Sequence, residues 1–218
     1  MPSVIITGAN RGLGLEFARQ YREAGWDVIA TVREASRELE DTGALVTCLD
    51  MQDLEAVERF GRSNQRLDLL IANAGTYGPR DVADAEAAAE WSETFVTNTI
   101  APFLLARCLL PAVAAASGKL IAVSTRMGSI EDNTSGGFIA YRSSKSALNS
   151  AWRSLAMDNR GRVTCAVLHP GWVQTRMGGS SAPLEPEESV SGMRRVIDSL
   201  RPDQAGGFFS YEGTVVPW

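Results

Sequence analysis

The fold is indicated by one stretch near the start of the sequence, Val4-Ile5-Ile6-Thr7-Gly8-Ala9-Asn10-Arg11-Gly12-Leu13-Gly14. A β-branched apolar run leads into a glycine-rich turn, and a helical pattern follows it. Glycines let backbone amides approach a pyrophosphate, and the N-terminus of the following helix attracts the anion. The spacing is Gly-x-x-x-Gly-x-Gly rather than the common Gly-x-Gly-x-x-Gly. The stretch predicts nucleotide binding, with a plain tight turn as the alternative.

Short apolar runs alternate with longer helical patterns along the rest of the chain. The runs lie at 4–7, 28–32, 45–49, 67–72, 120–124, 163–168 and 208–211, and the helical patterns at 12–24, 52–62, 88–110, 141–158 and 187–200. This alternation predicts right-handed βαβ units and a parallel sheet. Runs that are apolar throughout are typical of strands covered on both faces. We therefore predict an α/β fold, a single doubly wound Rossmann domain over residues 1–218 with a seven-stranded parallel sheet.

The composition excludes several classes of protein. Of the 218 residues, 44% are apolar and 22% charged, and the net charge is −5, without the basic surplus of a nucleic-acid binder. No apolar run reaches the roughly 18 residues that span a bilayer. Cys48, Cys108 and Cys165 form no Cys-x-x-Cys pair, which favours a reducing compartment. We expect a cytoplasmic protein with no nucleic-acid, membrane or metal partner, in which the lone His169 is structural.

The end of the second predicted strand bears on which nucleotide binds. An acidic residue there would bind a ribose 2′-hydroxyl, whereas an arginine accommodates a 2′-phosphate. The strand ends Thr31-Val32-Arg33, and Arg11 in the glycine turn offers a second guanidinium. The sequence favours NADP(H) over NAD(H). The alternative is that Arg33 is only a solvated residue at a helix start.

Tyr141 and Lys145 are four residues apart in a helical pattern and so share one helix face. Only two of the 21 basic residues are lysines, which suggests that Lys145 has a specific task. A free tyrosine has a pKa of about 10, too high for acid–base work near neutrality. An ammonium about 4 Å away would lower that pKa by about three pH units. The alternative is a surface Tyr and Lys.

These motifs, in this order, resemble the short-chain dehydrogenase/reductase family over essentially the whole chain. The resemblance also rests on Asn73-Ala74-Gly75, Asn98, and Pro170-Gly171 with Thr175. Three stretches, at 120–130, 133–137 and 140–145, together with the ending Pro217-Trp218, are similar to the C-factor and sniffer-like carbonyl reductase subgroup. The resemblance implies an NADP(H)-dependent reductase of small aldehydes, ketones or quinones, and a homodimer or homotetramer. The alternatives are a cofactor-binding signalling protein with little turnover and an NAD-dependent alcohol dehydrogenase.

The resemblance assigns the reacting groups. It implies that Tyr141 donates a proton, that Lys145 lowers the pKa of Tyr141 and holds the nicotinamide ribose, and that Asn98 anchors a water relay. Pro102 has no N–H, so in a helix the carbonyl of Asn98, four residues earlier, loses its usual partner and is free for a water. A simple helix kink is the alternative.

A hydroxyl that polarises the substrate carbonyl completes the implied set. The family places a serine where this chain has Thr125, which keeps the hydroxyl but is stiffer about χ1. Ser124, which should face the opposite side of the strand, and Ser129 are the alternatives.

Other positions carry over as cofactor contacts. Asp50 corresponds to the acid that binds the adenine amino group, with a helix N-cap as its alternative role. The implied substrate contacts are Thr125, Tyr141 and Trp172. The full set of implied cofactor contacts is Gly8, Asn10, Arg11, Gly12, Leu13, Gly14, Arg33, Asp50, Met51, Asn73, Ala74, Gly75, Tyr141, Lys145, Pro170, Gly171, Val173 and Thr175.

Overall fold

Seven parallel strands form one sheet in a computed structural model that describes residues 1–64 and 66–218. The order across the sheet is β3-β2-β1-β4-β5-β6-β7, so the chain winds outward in both directions from β1 and β4. This confirms the predicted doubly wound α/β fold. The strands are β1 (Ser3–Thr7), β2 (Asp27–Val32), β3 (Leu45–Cys48), β4 (Leu69–Ala72), β5 (Lys119–Val123), β6 (Thr164–His169) and β7 (Gly207–Ser210).

Helices cover both faces of the sheet, as apolar parallel strands require. On one face α3, α5 and α6 pack against the sheet, and on the other α1 and α7 do so. The helices are α1 (Gly12–Glu23), α2 (Arg37–Glu40), α3 (Leu54–Arg62), α4 (Ala85–Phe95), α5 (Ala101–Ala115), α6 (Ile139–Asp158) and α7 (Pro186–Ser199). The short α2 was not predicted. Its N-cap is Ser36, whose hydroxyl accepts a hydrogen bond from the Leu39 N–H.

The helix predicted at 88–110 is longer and is interrupted within. Between α4 and α5 lies a π-helical turn, Val96–Ile100, in which the N–H of Ala101 donates to the carbonyl of Val96, five residues back. Single π turns inside longer helices are frequent at functional sites. Here the turn contains Asn98 and precedes Pro102.

The continuous helical segment Ala85–Ala115 is also long and apolar enough to span a membrane by length and composition, with a mean hydropathy of 1.5 over its most apolar window. More than half of that window is buried within the protein. Leu105 and Leu109 of α5 lie in the core with Val57 of α3 and Leu148 of α6. These contacts account for the apolar character of the segment as that of a core helix.

Candidate active site

A cleft of about 550 Å³ lies at the carboxyl ends of the central strands. It opens where the strand order reverses between β1 and β4, which is where open α/β sheets bind ligands. Its volume is typical of a small-molecule site. The predicted residues that line it are Gly8, Asn10, Arg11, Gly12, Leu13, Gly14, Arg33, Asp50, Met51, Asn73, Ala74, Gly75, Tyr141, Lys145, Pro170 and Thr175.

The glycine turn is shaped to admit a phosphate. Gly8 and Gly12 have φ of 66° and 53°, values in the left-handed region that favours glycine. A Cβ on Gly14 would overlap the carbonyl oxygen of Gly8, so only glycine allows α1 to begin this close to the turn. Within the described part of the chain, no side chain caps the N-terminus of α1, whose N-cap residue is Arg11. The first backbone amides of α1 therefore suit the pyrophosphate of a dinucleotide.

Asn73 braces this turn from β4. Its side-chain Nδ2 donates to the carbonyls of Thr7 and Gly8, at 3.0 and 3.2 Å. The Thr7 hydroxyl in return accepts from the backbone N–H groups of Asn73 and Ala74, both at 3.0 Å. These four bonds fasten β1, the glycine turn and the end of β4 together, so Asn73 supports the shape of the cleft.

Two arginines and one acid mark the far end of the cleft. Arg11 and Arg33 are exposed and line it, and neither forms an ion pair within the described part of the chain. Both guanidinium groups are therefore available to an anion. Asp50 is also exposed and lines the cleft, and its Oδ1 accepts from the backbone N–H of Gln52 at 2.9 Å. The N-cap of α3 is Asp53 instead, so the alternative role considered for Asp50 is filled by another residue.

Tyr141 and Lys145 lie together on the buried face of α6, as their spacing predicts. The Nζ of Lys145 donates to the carbonyl of Val123, at the end of β5, at 2.9 Å. Burial lowers the pKa of Lys145 to about 8. For Tyr141 the expected lowering is not found. Burial, and to a smaller extent the neighbouring Tyr77, raise the pKa of its phenol, because the charged phenolate is the form that burial disfavours.

Asn98 is buried beside this pair rather than in the wall of the cleft. Its side chain accepts from the Thr76 N–H at 2.8 Å and donates to the Thr76 carbonyl at 2.8 Å and the Ser144 hydroxyl at 3.0 Å. A Cβ on Gly75 would lie 3.3 Å from the Asn98 Oδ1 and 3.5 Å from the Lys145 Nζ. The side chain of Asn98 is thus occupied by protein contacts, so the predicted water would have to bind its main-chain carbonyl.

The three candidate hydroxyls are in different settings. Ser124 Oγ donates to Asn149 Oδ1 at 2.7 Å, in a fully buried contact, although Ser124 also lines the cleft. Ser129 Oγ donates to the carbonyl of Trp218 at 3.0 Å. Thr125 is half-buried, does not line the cleft, and only accepts a bond of 3.2 Å from the backbone of Met127. The O–H of Ser124 and that of Ser129 are therefore committed elsewhere.

Besides Thr125, three of the predicted contacts lie outside the cleft among the described residues. Val173 is buried, and its backbone pairs with that of Leu184 in an isolated parallel bridge. Gly171 sits against the same leucine. Trp172 is 57% exposed, and its Nε1 donates to the carbonyl of Gly178 at 2.8 Å. The loop thus folds back on itself and brings other side chains to the cleft.

Sequence reasoning missed several lining residues. The principal ones are Thr31, Val32, Leu49, Gln52, Thr76, Glu90, Glu93, Thr97, Val123 and Arg176. Some of them could have been found, because Val32, Leu49 and Val123 stand at or just beyond strand ends that the sequence predicted. Glu90 and Glu93 belong to α4 and Thr97 to the π turn that follows it, and only the packing of these two elements shows that the three residues face the cleft.

His169, at the end of β6, supports a prediction about stability. Its Nδ1 is buried without a hydrogen-bond partner among the described residues, and burial together with the charge of Arg126 lowers its pKa to about 4. The unfolded chain binds a proton near pH 6.5, so the unfolded state is favoured as the pH falls from 6.5 towards 4. The free energy of unfolding should drop by up to about 3 kcal/mol in this range. Urea denaturation at several pH values measures the free energy of unfolding. In His169→Gln this free energy should depend less on pH between 6.5 and 4.

The chain is similar to several known proteins. Residues 2–185 match the family described as short chain dehydrogenase. The C-signal of Myxococcus xanthus is 46% identical over 155 residues, which cover 70% of this chain and 93% of that protein. The carbonyl reductase Sniffer of D. melanogaster has a TM-score of 0.91 and 35% identity, over the whole of both chains. An NADPH-bound carbonyl reductase from chicken fatty liver has a TM-score of 0.90 and 32% identity, over 100% of this chain and 99% of that one.

Proposed function

Because this chain belongs to the short chain dehydrogenase family, we propose that it is an NADPH-dependent reductase of small carbonyl compounds. The chemistry of the family is nicotinamide-dependent oxidoreduction, and carbonyl reductases are among the structural relatives of the chain. The observation that carries the proposal is that one cleft joins the glycine turn to the Tyr141–Lys145 pair. Aldehydes, ketones and quinones are the proposed substrates.

The cofactor supplies a hydride for the substrate carbonyl carbon when it is bound. Tyr141 gives a proton to the carbonyl oxygen, and the positive charge of Lys145 on the same face of α6 opposes the burial that raises the pKa of its phenol. Thr125 polarises the same oxygen. Lys145 holds the nicotinamide ribose, and the Asn98 carbonyl holds a water that leads a proton inward from solvent. The glycine turn holds the pyrophosphate.

The preference for NADPH rests on Arg11 and Arg33, which line the cleft and form no ion pair among the described residues, so that their charges can bind a 2′-phosphate. Arg33→Ala should weaken NADPH binding by about 10- to 100-fold, the factor expected for one hydrogen bond to a charged group. NADH binding should stay within about twofold of wild type, since NADH has no 2′-phosphate. Titration of cofactor fluorescence measures both affinities. An equal loss for the two cofactors would contradict the assignment.

The test of the function is oxidation of NADPH in the presence of a panel of aldehydes, ketones and quinones, followed at the absorbance of the reduced nicotinamide. Turnover of at least one class supports the reductase. The similarity to C-signal favours a second candidate, a cofactor-binding signalling protein with little turnover. Tight NADPH binding without turnover of any carbonyl would favour that candidate.

A further inference from the structure

The hydroxyl of Tyr141 faces a methionine on the loop after β6. The Sδ of Met177 lies 4.0 Å from the Tyr141 oxygen, at the outer limit of an O–H···S contact. Tyr77 holds this methionine in place, because its hydroxyl donates to the Met177 carbonyl at 3.2 Å. The Tyr77 ring also meets the Tyr141 ring edge-on, with centroids 4.7 Å apart. The thioether therefore stands where a substrate carbonyl would approach the phenol.

Met177 is accessible from solvent as well. It lines the cleft and is 39% exposed, whereas Met51, which also lines the cleft, is only 6% exposed and Met193 is fully buried. A small oxidant dissolved in water can therefore reach its sulfur while the two core methionines stay protected. The side chain of Met177 is therefore both exposed to solvent and in contact with Tyr141.

We propose that Met177 is a site of reversible oxidation by hydrogen peroxide, and that its sulfoxide lowers the kcat/KM of carbonyl reduction. This effect on turnover rests on the proposed role of Tyr141. The sulfur lone pair attacks one peroxide oxygen and forms the S–O bond as the O–O bond breaks. Sulfur loses two electrons, and the other oxygen leaves as water once the proton of the transferred oxygen has moved to it. Methionine sulfoxide reductases reverse the change.

The consequence follows from hydrogen-bonding capacity. A thioether sulfur is a weak acceptor, so a substrate displaces it from Tyr141 at little cost. A sulfoxide oxygen is polar and accepts strongly, and from this position it reaches the same phenol. A carbonyl substrate must then break that bond before it can bind. We expect kcat/KM to fall by about five- to tenfold, the factor for one ordinary hydrogen bond.

The experiment oxidises wild type, Met177→Leu and Met127→Leu with hydrogen peroxide. Each protein is compared with its own untreated sample, because Leu at 177 changes the wall of the cleft. Peptide mass spectrometry should find one added oxygen at Met177. Wild type and Met127→Leu should lose five- to tenfold in kcat/KM, and Met177→Leu should lose less than twofold. An unmodified Met177, or an equal loss in Met177→Leu, overturns the proposal.

The cysteines require a separate control, because Cys48 is exposed. Methionine sulfoxide reductase should restore the oxidised wild type, and dithiothreitol alone should not. Recovery with dithiothreitol alone would assign the loss to a cysteine and overturn the proposal.

A readout independent of turnover separates this inference from the proposed function. In protein labelled with ¹³C at the methionine methyl groups, Met177→Leu identifies the signal of Met177 before and after oxidation. Tyr141→Phe should move the signal of the oxidised form more than that of the thioether, since it removes the donor. If no carbonyl is turned over, the proposed function fails, while a shifted signal still supports the contact. A signal that Tyr141→Phe leaves in place overturns the inference.

Discussion

Tyr141→Phe should lower kcat for carbonyl reduction by about 10²–10⁴-fold, the range for loss of a general acid. The phenol is buried at the end of the cleft, and its raised pKa keeps it protonated across the neutral range. Phenylalanine keeps the ring against Tyr77 but has no proton to give. Steady-state rates of NADPH oxidation measure the effect with any substrate that wild type turns over.

Binding and stability serve as controls for this prediction. The affinity for NADPH should change by less than about threefold, because the arginines and the glycine turn are untouched. Tyr211→Phe removes a hydroxyl outside the cleft and should keep wild-type turnover. If Tyr141→Phe kept its turnover too, another group would be the proton donor.

Much of the fold could be predicted because it follows from local signals. All seven strands are short apolar runs, and each observed strand overlaps its predicted run. The glycine-rich turn predicted the positions of β1 and α1. The four-residue spacing predicted that Tyr141 and Lys145 share one face of a helix. These features depend on neighbours in the sequence, which is why pattern reasoning finds them.

The remainder depends on contacts between distant segments. The π turn at Val96–Ile100 accompanies the bonds of Asn98 to Thr76 and Ser144, which no local pattern contains. Trp172 is exposed beside the bridge that joins Val173 to Leu184, a residue eleven positions later. The raised pKa of Tyr141 has a similar origin, because it results from burial of the phenol by elements that are distant in the sequence.

Thr125→Val should lower kcat by about 10²–10³-fold, the loss seen when one donor to a developing oxyanion is removed. Valine has nearly the shape of threonine and keeps the β-branch that suits this extended residue, so the change isolates the hydroxyl. Thr125→Ser should retain most of the activity for the same reason. The measurement is kcat with a substrate identified in the panel, beside thermal unfolding of each variant.

Ser124→Ala and Ser129→Ala are the matched controls for this hydroxyl. The Ser124 Oγ bonds to Asn149 within the core, so its removal should destabilise the protein by about 1–3 kcal/mol, the cost of leaving a buried amide without that partner. The kcat of Ser124→Ala should stay near that of wild type. Ser129→Ala should loosen the contact to Trp218 and likewise spare kcat. Among the described residues, Ser124 lines the cleft and Thr125 does not. A large loss of kcat in Ser124→Ala, together with normal turnover in Thr125→Val, would therefore assign the polarising hydroxyl to Ser124.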